Sequence, residues 1–185
     1  MTLQLRVLCL HGYTQNAQKF RDRTGPFRRS LKRALDLVYV TAPHAATEFQ
    51  PSEPANGTTN DGVDDNDSNT DGPSAAWWNR NGHEWDEIKR SVRALHQTIR
   101  EQGPFDGVLG FSQGAGMAAI MVALIQAAHT TKDAHTAAYM DADLAELVRE
   151  MADVPVPKFA MLFAGFYPEL PQFDALVNNK DSFGP

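Results

Sequence analysis

This 185-residue sequence predicts an α/β protein, with a parallel sheet covered by helices on both faces. Three observations carry that reading: short, mostly apolar runs of strand length, amphipathic or Ala-rich stretches of helix length between them, and Gly-Pro punctuation where the two meet. Strands alternating with helices imply parallel pairing, since parallel neighbours need long right-handed crossovers. At 42% hydrophobic the chain supports one core of ordinary size, so residues 1–185 form a single domain.

Residues 5–10, Leu-Arg-Val-Leu-Cys-Leu, read as a buried parallel strand that delivers the chain to the sharp loop His11-Gly12-Tyr13-Thr14. Ala17, Phe20, Phe27, Leu31 and Leu35 then recur at roughly helical spacing, and Gly25-Pro26 divides the segment into two shorter helices. A second strand over 36–41 ends at Pro43. From Trp85 onward Ile88, Val92, Leu95 and Ile99 follow spacings of three and four, which predicts an amphipathic helix stopped by Gly103-Pro104. A third strand spans 106–111, a helix 115–128, and a fourth strand 158–164. Leu144, Leu147, Val148 and Met151 share one face of a further helix inside an insertion at about 130–155.

The third strand leads into Gly110-Phe111-Ser112-Gln113-Gly114, which matches the G-x-S-x-G nucleophile elbow in the place where that turn belongs, between a buried strand and an Ala-rich helix. The reversal is tight enough that the positions two before and two after the serine need little or no side chain, and glycine holds both. Ser112 is the candidate catalytic nucleophile. A serine hydroxyl is weak until a base removes its proton, so the elbow matters by lifting the oxygen to where an imidazole can reach it. The backbone N–H of Gln113 is one candidate oxyanion donor, with the positive N-terminal end of the helix behind it. The second is the N–H of Tyr13, where Gly12 lets the backbone come close to a substrate. These residues make the α/β-hydrolase arrangement a better account than a dinucleotide-binding fold, because the loop after the first strand lacks G-x-G-x-x-G. Trp77 and Trp78 read as core or loop packing, with the lining of an acyl pocket as the alternative.

Triads of this fold run in the order Ser, Asp or Glu, His. His11, His44, His83 and His96 precede the elbow, and His129 and His135 fall in or beside the insertion, so none of the six fits as the base. His11 reads as a structural loop histidine. No metal-ligand spacing is present, so no metal is expected.

The net charge of −6 is concentrated. Between Thr47 and Ser74 stand seven acidic residues and no lysine or arginine; outside that stretch 16 acidic residues face 17 basic ones. A near-neutral remainder gives no reason to expect nucleic-acid binding, which needs a concentrated basic face. The acidic stretch, rich in Asn, Gly, Ser, Thr and Pro, cannot bury enough apolar surface to offset its ordering entropy and reads as a disordered loop at about 47–75. The one cysteine, Cys9, sits in an apolar run and offers no disulfide, which fits a cytoplasmic protein. The N-terminal apolar run is interrupted by Arg6 and is too short for a signal peptide or a membrane span.

With these residues on the page, the chain resembles the fungal-type family of serine hydrolases, within the α/β-hydrolase superfamily. The likeness rests on 8–16 (LCLHGYTQN), on Ala42-Pro43-His44, on 103–115 (GPFDGVLGFSQGA) and on Phe163-Ala164-Gly165-Phe166, with the long block around Ser112 the most specific. It implies esterase or thioesterase activity on small acyl substrates, Ser112 as nucleophile and no cofactor. Family members continue past the Gly-Phe strand into a strand ending in the catalytic Asp and, near their end, a Gly-His. This sequence departs from that pattern, because Asp174 and Asp181 follow no further apolar strand. The expectation is a C-terminally truncated hydrolase that lacks the last strands and both triad partners, is nearly inactive, and has an exposed sheet edge. Two alternatives stand beside it: an inactive hydrolase-like binding module, and an enzyme closer to acyl-protein thioesterases and carboxylesterases. Tyr13-Thr14-Gln15-Asn16 and residues 103–107 favour the first family over the last alternative.

Overall fold

The computed structural model describes residues 4–47, 72–80, 83–130, 140–166, 168 and 170–172. Its centre is a four-stranded parallel sheet in the order β2-β1-β5-β6, formed by β1 (Leu5–Leu10), β2 (Leu35–Val40), β5 (Gly107–Phe111) and β6 (Phe159–Phe163). The order of these strands accounts for the shape of everything around the elbow. β1 has β2 on one side and β5 on the other, so the chain leaves β1 and β5 toward opposite faces. The carboxyl ends of these two strands therefore lie at the point where the connections change direction, the usual place for ligands in an open parallel sheet.

Side chains alternate along each strand and feed two cores. Val7 and Cys9 of β1 and Leu109 of β5 pack with Phe20 beneath α1 (Ala17–Arg23) and α2 (Gly25–Leu31). Leu8, Leu10 and Val108 point the other way, into the larger core under α3 (Glu84–Gln102), α4 (Gln113–Thr130) and α5 (Ala142–Glu150). The break between α1 and α2 falls at Thr24, one residue before the Gly-Pro pair, and Pro26 sits in the first turn of α2, where its missing N–H is not needed. Asn16 caps α1 by accepting from the Lys19 N–H at 2.9 Å. Asp141 caps α5 in the same way, at 2.8 Å from the Leu144 nitrogen.

The insertion helix is more integrated than its sequence suggests. Leu144, Leu147, Val148 and, in the 3-10 turn Met151–Asp153, Met151 are all buried in the larger core. Of the acidic stretch expected as a loop at about 47–75, residues 48–71 lie outside the described residues. β3 (His44–Ala45) pairs antiparallel with β4 (Ala75–Ala76), and Ala75 also donates to the Gln15 carbonyl at 2.8 Å. Thr47 is held by the Asn79 side chain, which accepts from its N–H at 2.9 Å. Trp77 and Trp78 are buried to 1% and 2% exposure and belong to the core. At the far side, β6 leaves Leu162 and Phe163 about half exposed, at 45% and 47%. No helix among the described residues is long and apolar enough to cross a membrane.

Candidate active site

Ser112 stands between β5 and α4 with φ +53°, in the left-handed region that side-chain-bearing residues seldom occupy. Such a conformation costs on the order of 1–3 kcal/mol and persists where its surroundings enforce it. Two neighbouring glycines show the enforcement. A Cβ on Gly110 would run into the Gly114 carbonyl and the Ala115 backbone, and one on Gly114 would run into the carbonyls of Leu10 and His11. The first turn of α4 is thus pressed directly onto the end of β1. The Ser112 N–H donates to the Phe163 carbonyl at 2.8 Å, tying the turn to β6 as well.

Two further side-chain-bearing residues have positive φ, Thr14 at +61° and Ala164 at +50°. They follow β1 and β6, so among the described residues all three such positions lie at the carboxyl ends of neighbouring strands. Strain of this kind gathers at functional sites. Gly12 brings its loop against the elbow: a Cβ there would lie 3.4 Å from the Ser112 Cβ and 3.1 Å from the Phe111 ring. The backbone N–H groups of Tyr13 and Gln113 have no protein acceptor among the described residues, and the Ser112 hydroxyl has no hydrogen-bond partner there either.

What fixes this constellation is a buried polar network that the motif alone does not reveal. The Gln113 side chain, 3% exposed, accepts from the Trp77 N–H at 2.9 Å and donates to the Trp78 carbonyl at 2.7 Å. Trp77 in turn donates its indole N–H to the His11 carbonyl at 2.9 Å, and Ser91 donates to the Trp77 carbonyl at 2.6 Å. One amide and one indole therefore join the elbow, the loop after β1, and α3. The Gln15 side chain accepts from the Gly12 N–H at 3.2 Å, while the Tyr13 hydroxyl reaches away to the Thr47 carbonyl at 2.7 Å. Tyr13 is thus anchored by its side chain. The polar residue directly after the serine and the Trp-Trp pair were the available sequence signals for this network.

His11 is fully buried and spent on structure. The Ala42 N–H can only donate, so Nε2 is the accepting nitrogen, at 3.0 Å, and Nδ1 carries the proton that goes to the Gly12 carbonyl at 2.7 Å. Burial pushes its pKa down, outweighing the backbone hydrogen bond that favours the charged form, so the ring is neutral. The other described histidine rings are also engaged elsewhere: His44 with the Glu87 carbonyl, His96 with Asp153, His129 with the Val154 carbonyl. His83 is the N-cap residue of α3, and His135 lies outside the described residues, as do Asp174 and Asp181. Cys9 is buried, its thiol pushed up to about 12 by desolvation, which makes it an inert hydrophobe. No group of three or more potential metal ligands occurs among the described residues.

A serine at positive φ between strand and helix, glycines packed too closely for any side chain, and a loop from the neighbouring strand laid against it are the features that a G-x-S-x-G turn requires. The family model for "Serine hydrolase (FSH1)" matches residues 1–183. The chain belongs to that family. Among curated relatives, "Esterase OVCA2" of Danio rerio is 34% identical over 131 residues, covering 65% of this chain and 56% of the relative. An esterase of Caenorhabditis elegans is 32% identical over 185 residues, covering 94% of this chain and 65% of the relative. The chain thus spans a little over half to two thirds of the length of these two relatives. Among solved structures it aligns with acyl-protein thioesterase 2 of Zea mays at a TM-score of 0.42 and 13% identity, over 100% of this chain and 96% of that one.

Proposed function

We propose that this serine hydrolase acts on carboxylic ester or thioester substrates through an acyl-enzyme on Ser112. The observation that carries the reading is the Ser112 backbone at φ +53°, which presents beside Gly12 a hydroxyl that has no partner among the described residues. In the acylation step the Ser112 oxygen attacks the substrate carbonyl, its proton passes to a base, and the tetrahedral oxyanion is received by the N–H groups of Tyr13 and Gln113. Collapse expels the alcohol or thiol, and water then releases the acid. Loss of one oxyanion donor typically costs a hundredfold or more in rate, about 2.7–4 kcal/mol. Gly12, Gly110 and Gly114 are scaffold in this scheme, and Gln113 has two parts: its side chain locks Trp77 and Trp78 while its amide faces the oxyanion. The scheme involves no cofactor, and the substrate is a small acyl ester or thioester.

One observation favours a second reading, a hydrolase-like binding module without turnover: among the described residues no histidine or carboxylate hydrogen-bonds the Ser112 hydroxyl. Without a base, turnover falls by about a millionfold from that of an intact triad. Acylation by p-nitrophenyl acetate separates the two. The hydrolase reading expects slow p-nitrophenol release with an acetyl group retained on the peptide carrying Ser112, absent in Ser112→Ala. Identical release and no acetylated peptide in either protein would favour the module.

A further inference from the structure

The outer edge strand β2 borders a groove of about 410 Å³, on the α1–α2 side of the sheet and away from Ser112. Arg21 of α1, Arg28 of α2 and Lys32, the C-cap residue of α2, line it together with Gln18, Asp36 and Tyr39. Among the described residues, none of the three cations is in an ion pair with a carboxylate. Asp36, the acidic residue of the lining, is already committed to Arg6 at 3.3 Å. The Arg28 Nε is buried and has no hydrogen-bond partner among the described residues. A buried guanidinium N–H left unpaired is costly, and native proteins seldom keep one without a use for it. Arg21 and Arg28 both lie within electrostatic reach of the Tyr39 hydroxyl, which shares a hydrogen bond with Thr24 at 2.7 Å. Two arginines, a lysine and a tyrosine thus line one concavity of ligand size.

We infer that this groove binds a small phosphate-bearing molecule. Guanidinium groups meet phosphate oxygens with paired, charge-assisted N–H donors, and the Arg28 Nε–H is a donor of that type. The groove suits a small ligand, because its lining sets three cations against one carboxylate within a single concavity of about 410 Å³. The site stands independently of the hydrolase reading. Phe20 packs edge-on against Tyr39 at 5.6 Å and lies over Phe111 at 6.3 Å, so two ring contacts link the groove to the residue before Ser112.

Calorimetric titration with inorganic pyrophosphate, at ionic strength held constant with sodium chloride, tests the inference. Saturable one-to-one binding is expected, weakened about tenfold or more by Arg28→Gln, the loss expected when a charge-assisted hydrogen bond is removed. Arg21→Gln, at an exposed side chain, should weaken it similarly and carries the test should Arg28→Gln lower the melting temperature. Arg33→Gln removes the same charge from the turn after α2, outside the groove, and should leave the affinity unchanged. Ser112→Ala should also leave it unchanged, so failure of this site and failure of the elbow chemistry read out separately. No saturable binding at millimolar pyrophosphate would overturn the inference. So would equal weakening by Arg33→Gln, which would mean general attraction, or preference for duplex RNA or anionic vesicles over pyrophosphate.

Discussion

At the carboxyl ends of the parallel strands the chain is held by buried polar contacts and by glycines with no room for a methyl group; at the amino ends it is held by exposed ion pairs. The Gln113 amide is 3% exposed and bonded at both ends, and the first turn of α4 touches the carbonyls of β1. At the opposite end Arg6 reaches Asp36 at 3.3 Å with side chains 37% and 52% exposed, and Lys158 reaches Asp106 at 2.6 Å from a side chain 69% exposed. The first end tolerates a strained serine because its neighbours leave no alternative conformation. The second end is solvated and adaptable. Strain and rigidity therefore mark where chemistry belongs, and ion-pair geometry does not.

The contrast can be broken most forcefully at Gly114. Gly114→Ala places a methyl against the carbonyls of Leu10 and His11, backbone atoms that cannot swing aside, and should lower stability by on the order of 3 kcal/mol in urea denaturation. Gln113→Ala should cost about 2–3 kcal/mol, because it strands the Trp77 N–H and the Trp78 carbonyl in the interior.

A pH series sharpens the comparison through His11. Its pKa is lowered by burial, so the unfolded chain binds the proton more readily than the folded one; the contribution of the neutral ring is present above the ordinary histidine value of 6.5 and is lost as pH falls below it. The urea midpoint should drop between about pH 7 and pH 5, while the His11 ring resonances of the folded protein stay in their neutral form. A flat midpoint, or a His11 ring titrating near 6.5, would contradict the assignment.

Ser112→Gly tests the strain itself. Relief of the left-handed conformation should raise stability by about 1 kcal/mol after the entropy of glycine is counted, and Ser112→Ala, which keeps a Cβ, should not. The smallest effect belongs to the other end: Asp36→Asn should change stability by no more than about 1 kcal/mol, and by less at high salt.

How far the sequence reaches follows the same division. The first strand is legible to the residue, because Leu5–Leu10 is apolar at every position but Arg6 and is bounded by His-Gly. The long helix is legible because its apolar spacing is unbroken from Trp85 to Ile99, and the elbow because glycine is needed at two fixed offsets from the serine. The serine hydrolase family and the α/β class were readable from the blocks around Ser112. The pairing of Ala75–Ala76 with His44–Ala45 was not, since two-residue strands carry no periodicity and their contact spans a long intervening segment. Nor was the Gln113–Trp77–His11 network, which depends on the strand order β2-β1-β5-β6 bringing three distant segments to one point. Spacing reports a local turn well and a meeting of remote backbone groups poorly.

The central claim is that the Ser112 oxygen is a presented nucleophile. Exposure to an excess of a fluorophosphonate followed by peptide mass mapping addresses it directly. The account predicts one adduct, on the peptide carrying Ser112 and missing from Ser112→Ala, formed slowly because no imidazole among the described residues is bonded to that oxygen. An unmodified Ser112 after exhaustive exposure, or an adduct that persists in Ser112→Ala, would contradict it.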